Sequence, residues 1–157
     1  MKFSDFLCVD AIIPELCSMD RDGVIEELVT ALYRAGCLKG LKAKDVIGAV
    51  IKREKEASTG IGKGVAVPHV KYPGSKEMSL AVGRSSAGVD FSSLDKQPVY
   101  SVMLLISPAE DPDKHLQAME KIFKYLQQEN FRKFLRQSET VKQIVELLHE
   151  ADDTVSF

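Results

Sequence analysis

The chain has 157 residues, 45% of them apolar and 28% charged, with 21 Lys and Arg against 23 Asp and Glu. That length supplies one hydrophobic core and is too short for two comfortable ones. A formal net charge of −2, with no basic block interleaved with aromatics, argues against a nucleic-acid face. No apolar run is long enough to span a bilayer or to serve as the core of a signal peptide.

Leu7 to Ile13 is short and apolar, ends at Pro14, and is expected as an initial strand or extended turn. Asp20 is placed to cap a helix running to about Ala35, with Val24, Ile25, Leu28, Val29 and Leu32 at helical spacing. Gly36 and Gly40 bracket its end. A second helix is expected from about Lys44 to Lys55, with Val46, Ile47, Val50 and Ile51 on one face. Arg53 falls in its last turn, where a cation suits the negative helix terminus, and Glu54, Lys55 and Glu56 read as a solvated charge run. A loop with glycine at positions 60, 62 and 64 follows, then a brief strand Val65-Ala66-Val67 that delivers His69 directly after Pro68.

Met78 to Arg84 reads as a strand and Gly88 to Phe91 as a short strand or turn. Pro98 to Ile106 is nearly all apolar, the pattern of a strand at a sheet centre. Asp111-Pro112 starts a third helix with an N-cap carboxylate and a proline at the first helical position. Leu116, Met119, Ile122, Phe123 and Leu126 are expected to stripe it to about Gln127. Asn130 to Arg136 forms a further helical turn or two, and Ser138 is expected to cap a last helix bearing Val141, Ile144, Val145 and Leu148. The elements predict one α/β domain over residues 1–150, a central sheet of about five strands flanked by helices, and a frayed tail over residues 151–157.

Cys8, Cys17 and Cys37 are odd in number and lack CxxC spacing, so they read as reduced thiols in a cytoplasmic protein. Among the three histidines, His149 occupies an exposed helix end. His69 is the candidate for chemistry, since imidazole is neutral and nucleophilic near neutral pH and glycines let backbone N–H groups crowd around an anion. The loop lacks the Gly-Lys-Ser/Thr of a Walker A motif. His115 lies in the first turn of the third helix, where the dipole disfavours imidazolium and favours bound anions; spacing alone reads it as an exposed helix-start residue. Arg53 is either an ordinary helix-end cation or a planar fork for a phosphoryl group. Ser58 and Thr59 either terminate the helix by local bonding or donate hydroxyls to phosphoryl oxygens. A zinc site built on His69 and His115 is the competing reading, and it lacks a third ligand at metal-like spacing.

The segment Arg-Glu-x-x-x-Ser-Thr-Gly-Ile-Gly-x-Gly-Val-Ala-Val-Pro-His, from Arg53 to His69, resembles the active-site segment of fructose/mannitol-type EIIA domains of the bacterial phosphoenolpyruvate-dependent phosphotransferase system. The stretch from Val89 to Val99 is similar to that family as well. So is the apolar strand ending in Pro108, followed by a helix that starts around His115-Leu116. The resemblance runs from the first helix to Leu148 and implies the EIIA type-2 fold with a mixed sheet. It implies that His69 accepts a phosphoryl group at Nε2 from an HPr-type phosphocarrier and passes it to an EIIB cysteine or serves a regulatory target. It also implies that Arg53 and His115 line the site, with Ser58, Thr59, Gly60, Gly62 and Gly64 as phosphoryl-binding candidates. The scheme requires no metal or cofactor and no membrane insertion. One departure is Val70, where the family usually has Gly or Ala; its branched side chain would narrow the approach of a partner. The Arg-Glu-Lys-x-x-Ser-Thr-Gly-Ile-Gly wording resembles the nitrogen-regulatory subgroup somewhat more closely. The absence of a fused EIIB or EIIC domain in this sequence is expected to point the same way, towards a switch rather than a transport component.

Overall fold

The computed structural model describes residues 1–153. A short 3₁₀ turn at Phe3–Asp5 precedes β1 (Leu7–Ile13), α1 (Arg21–Arg34), α2 (Ala43–Glu56), β2 (Gly60–Gly62), β3 (Val65–Ala66) and β4 (His69–Tyr72). Then come β5 (Ser79–Val89), β6 (Val99–Pro108), α3 (Pro112–Leu126), α4 (Glu129–Gln137) and α5 (Val141–Asp153). The caps follow the side-chain chemistry. Asp20 accepts from the Gly23 N–H at 2.7 Å and Asp111 from the Lys114 N–H at 3.2 Å, each satisfying a helix-start donor that has no partner within the helix.

The sheet has six strands in the order β1-β5-β6-β3-β2, with β4 also paired to β6. β1 runs parallel to β5, β5 antiparallel to β6, and both β3 and β4 parallel to β6. The apolar run of β6 is therefore flanked on both sides, and its alternate side chains enter two cores. Met103 and Leu105 pack on the layer made by α3, α4 and α5; Val102, Leu104 and Ile106 pack on α1 and α2. Burying one such side chain contributes about 1.5–3 kcal/mol, so a slip of one residue, which would exchange the two sets, is strongly disfavoured.

β3 and β4 occupy one sheet position. Val65 and Ala66 pair with Ser101 and Val102, and His69 to Tyr72 pair with Leu105 to Pro108. The break between them is Val67-Pro68. Proline has no N–H for a ladder, so the strand is interrupted one residue before His69. The expected strand ending at Val67 thus resumes at His69, and with the β2 segment this gives six strands, in keeping with the expected sheet of about five.

Several local expectations are corrected. Leu116 is 57% exposed; Met119, Ile122 and Leu126 of the expected stripe are buried and Phe123 packs against the core, while His115, Ala118 and Tyr125 complete the buried face of α3. Ser138 does not cap α5: its hydroxyl donates to the Phe134 carbonyl, and Thr140 accepts the Gln143 N–H at 3.1 Å instead. Ala151 to Asp153 are not frayed but complete α5, with the rest of the expected tail outside the described residues. Asp152 accepts from the Phe3 and Ser4 N–H groups at 2.6 and 3.0 Å and pairs with Lys121 at 3.2 Å. Burial opposes ionisation of Asp152, but these donors and Lys121 together hold its carboxyl below the usual value. Asp152→Ala is expected to lower stability by about 1–3 kcal/mol, the cost of orphaning such donors. A denaturant midpoint equal to that of the parent would show that the two ends of the chain are not joined through this carboxylate.

Candidate functional site

Three elements meet at the β4 edge of the sheet. The helix α2 presents Lys52, Arg53 and Glu56, the strand β4 presents His69, Val70 and Lys71, and α3 contributes His115, around a pocket of about 530 Å³. The two imidazole rings lie 5.4 Å apart between centroids, tilted by 44°. Lys52, Arg53 and Glu56 share a face because they are spaced by one and by three or four residues on a helix.

His69 is oriented by the strand break. Its Nδ1 lies 2.8 Å from the Val67 carbonyl oxygen. A carbonyl can only accept, so the proton sits on Nδ1 and, in the neutral ring, Nε2 carries the free lone pair. Burial, with Arg53 and Lys71 adding positive potential, holds the His69 value below 6.5 against the opposing effect of the Val67 bond. Neutral His69 with a bare Nε2 is therefore the form present at neutral pH.

His115 is 8% exposed, not the surface residue that its place in the first helical turn suggests. Its Nδ1 is 2.6 Å from the hydroxyl of Ser107, itself fully buried on β6. Burial, then the charges of His69, Lys71 and Arg53, push its value down to about 4. The signal for this burial was present in the sequence: stepping back three residues from Ala118 on the core face of α3 arrives at His115. Ser107, Lys52 and Lys71 were missed as site residues. Lys71 follows from strand alternation once His69 is known to begin β4; nothing local in the sequence marks Ser107.

Arg53 does reach the pocket, with one guanidinium nitrogen donating to the Ala57 carbonyl at 3.1 Å. That bond closes the end of α2 and leaves its other N–H groups for a ligand. Ser58, Thr59 and the glycines lie elsewhere. Glu54, expected to be solvated, is 1% exposed and accepts both the Thr59 N–H at 2.7 Å and the Thr59 hydroxyl at 2.8 Å. Ser58 accepts the Gly60 N–H. A Cβ on Gly60 would lie 2.5 Å from the Ser93 hydroxyl, and the Gly60 carbonyl accepts from the Leu94 N–H at 3.0 Å. Gly62 and Gly64 adopt φ of 99° and 77° and face Asp95 and Tyr100. The glycines let the β2–β3 hairpin turn tightly and accept the loop after Phe91; none of them lines the pocket beside His69.

The remaining candidates stay outside the site. Cys8, Cys17 and Cys37 are free thiols, and burial together with Cys37 pushes the Cys8 thiol up to about 12, the reverse of what a nucleophile needs. His149 is exposed. Among the described residues no group of His, Cys, Asp or Glu is arranged to hold a metal, and no helix is long and apolar enough to cross a membrane.

Comparison with known proteins gives consistent findings. The family model described as phosphoenolpyruvate-dependent sugar phosphotransferase system, EIIA 2, matches residues 5–151. The chain is 35% identical over 152 residues to a PTS system fructose-specific EIIABC component of Bacillus subtilis, covering 97% of this chain and 24% of that protein. It is 32% identical to a nitrogen regulatory protein of Bradyrhizobium diazoefficiens, covering 94% of this chain and 95% of the relative. The solved structure of nitrogen regulatory protein IIA-Ntr from Neisseria meningitidis superposes with a TM-score of 0.85 at 27% identity, over 93% of this chain and 98% of the other.

Two outcomes are expected at this site. Thr59→Val removes one of the two bonds to the buried Glu54 carboxylate and lowers stability by about 1–3 kcal/mol; an unchanged denaturant midpoint would refute the buried pairing. An NMR titration of the ring protons should place His115 near pH 4 and His69 below 6.5, with Lys71→Ala raising both midpoints. Since both folded values lie below the ordinary 6.5, these rings support stability fully above that pH. Their contribution is lost as pH falls from 6.5 towards the folded values.

Proposed function

The chain belongs to the phosphoenolpyruvate-dependent sugar phosphotransferase system EIIA 2 family, and on that footing we propose that His69 is a transient phosphohistidine. The observation that carries this reading is the His69 Nδ1–H···O=C bond to Val67, which leaves Nε2 as the only free lone pair on the ring. In the proposed step, that lone pair forms a bond to phosphorus of a phosphohistidine on an HPr-type donor. The donor's P–N bond breaks, and its electron pair returns to the donor imidazole. Nδ1–H of His69 stays on the Val67 carbonyl, which faces the positive charge gained by the ring. The transferred group spreads charge over three equatorial oxygens and needs donors more than covalent machinery. Arg53, Lys52 and Lys71 supply positive charge around it. His115 supplies an Nε2–H donor when Ser107 donates its hydroxyl proton to Nδ1, and the depressed value of His115 keeps that ring neutral.

We assign the carrier a regulatory role of the nitrogen type, supported by the near end-to-end match to a nitrogen regulatory protein and by the loop wording at Arg53 to Gly62. The alternative is a sugar-transport role in which an EIIB cysteine receives the phosphoryl group. The fructose-specific relative favours that alternative, although the chain spans only 24% of its length. A cytoplasmic location fits either role.

Incubation with phosphoenolpyruvate, enzyme I and HPr, read by intact-protein mass spectrometry, is expected to add one acid-labile phosphoryl group. His69→Ala should abolish it, and His115→Ala should slow it by about 100- to 1,000-fold, the range for loss of one oriented donor. Full labelling of His69→Ala would overturn the site. Rapid loss of the label to a cysteine of an added EIIB domain would select transport over regulation.

A further inference from the structure

A second basic concavity lies apart from the His69 pocket and shares none of its lining residues. It measures about 620 Å³, between the outer face of α4, the turn of the β2–β3 hairpin and the start of β6. Lys63, Arg84, Arg132, Lys133 and Arg136 line it with Tyr100, against two carboxylates, Glu129 and Glu139. Five cations and two acids leave a local excess of three positive charges on a chain whose net charge is −2. Its floor residue Ser101 lies four positions before Leu105, the partner of His69 in the sheet, so roughly 13 Å of strand separates the two sites.

The guanidinium groups are held in place by carbonyls and an aromatic ring rather than by close ion pairs, although Arg84 also acts electrostatically on Glu15. Arg84 donates from Nε to the Arg136 carbonyl at 2.6 Å and from a terminal nitrogen to the Pro14 carbonyl at 3.1 Å. Arg132 donates to the Leu126 carbonyl at 2.8 Å. Arg136 lies over the Tyr100 ring, its guanidinium carbon 3.5 Å from the centroid. Tyr100 is itself fixed: its N–H donates to the Gly64 carbonyl at 2.8 Å, and a Cβ on Gly64 or Gly88 would come within 3.1 Å of its ring carbons. Among the described residues none of the five cations is in an ion pair. Carbonyls and an aromatic face orient a guanidinium while leaving its charge and other N–H groups unneutralised.

We propose that this pocket binds a small anion carrying two linked phosphate groups, at a site distinct from the phosphorylated histidine. The pocket has the size of small-molecule sites, and three oriented forks exceed what one phosphate can occupy. Arg136 occupies the face of Tyr100 that it stacks on and the rest of the lining is mainly cationic, so the recognised chemistry is the diphosphate and not a nucleoside.

The test is a titration of the intact protein with inorganic pyrophosphate at physiological ionic strength, where exposed lysines alone are largely screened. It is followed by calorimetry and by amide NMR shifts. Saturable one-site binding is expected, with shifts at Gly64, Tyr100 and Ser101. Arg132→Gln with Lys133→Gln, or Lys63→Gln alone in case the pair perturbs α4, should weaken it at least about tenfold and about threefold respectively, as loss of charge-assisted contacts predicts. Lys52→Gln with Lys71→Gln at the histidine pocket should leave it unchanged. ADP should bind no tighter than pyrophosphate, and inorganic phosphate at least about tenfold weaker. Absence of saturation, shifts centred on His69, or equal affinity for phosphate and pyrophosphate would each overturn the assignment. Because none of these readouts requires phosphorylation of His69, failure here and failure of the phosphohistidine reading are separable.

Discussion

The bond from His69 Nδ1 to the carbonyl of Val67 depends on a proline that breaks a strand. β3 and β4 are two halves of one parallel neighbour of β6, and Pro68 separates them. Had the ladder continued unbroken, Val67 and His69 would point to one face as ordinary sheet residues, with backbone groups turned into the ladder. The interruption lets a carbonyl two residues upstream reach the ring. It fixes the tautomer, aims Nε2 at the pocket and seats the ring beside His115. Burial, joined by the positive charge of Arg53 and Lys71, then lowers the value of each imidazole and keeps the pair neutral.

The family-like wording before His69 does its work at a distance from the His69 pocket. Glu54 turns back from the end of α2 to hold Thr59 by backbone and hydroxyl, which anchors the loop that becomes β2. Gly60 lets Ser93 approach, so the segment after Phe91 docks on the hairpin. Two sequence stretches that resemble the family separately are thus one contact in space. Their common result is to hold β3, and through it His69, against β6. Arg53 stands at the junction: it caps α2 through Ala57 and faces the pocket with its remaining donors.

Charge is gathered in two places around β6 and its neighbouring strands. Around His69 it is set beside two imidazoles whose values are lowered. Near the start of β6 it is held by carbonyls and by Tyr100, without a nucleophile nearby. Gly64 serves both regions, since it closes the hairpin that leads to His69 and makes room for the ring under Arg136. The same glycine-bearing turn therefore joins the His69 pocket to the basic concavity at the start of β6.

Helix positions, caps at Asp20 and Asp111, and the central place of β6 were legible from residue order, because they depend on local hydrogen bonding and on apolar periodicity that any fold must satisfy. His69 and Arg53 stood out for the same reason: a proline, a helix end and a histidine at fixed spacing constrain the backbone locally. The phase of α3 was legible at Met119, Ile122 and Leu126 but was misread at its N-terminal end, where Leu116 and Ala118 compete for the core and packing on β6 decides between them. That choice buries His115 and exposes Leu116. Nor could residue order tell a glycine that cradles an anion from one that admits a neighbour; the answer lay with Ser93 and Tyr100, more than 30 residues away in sequence. The chain by itself determined which groups could react and roughly where its elements lie. Only the tertiary structure decided which groups face one another, because burial and partner geometry are properties of contacts between segments that the sequence keeps far apart.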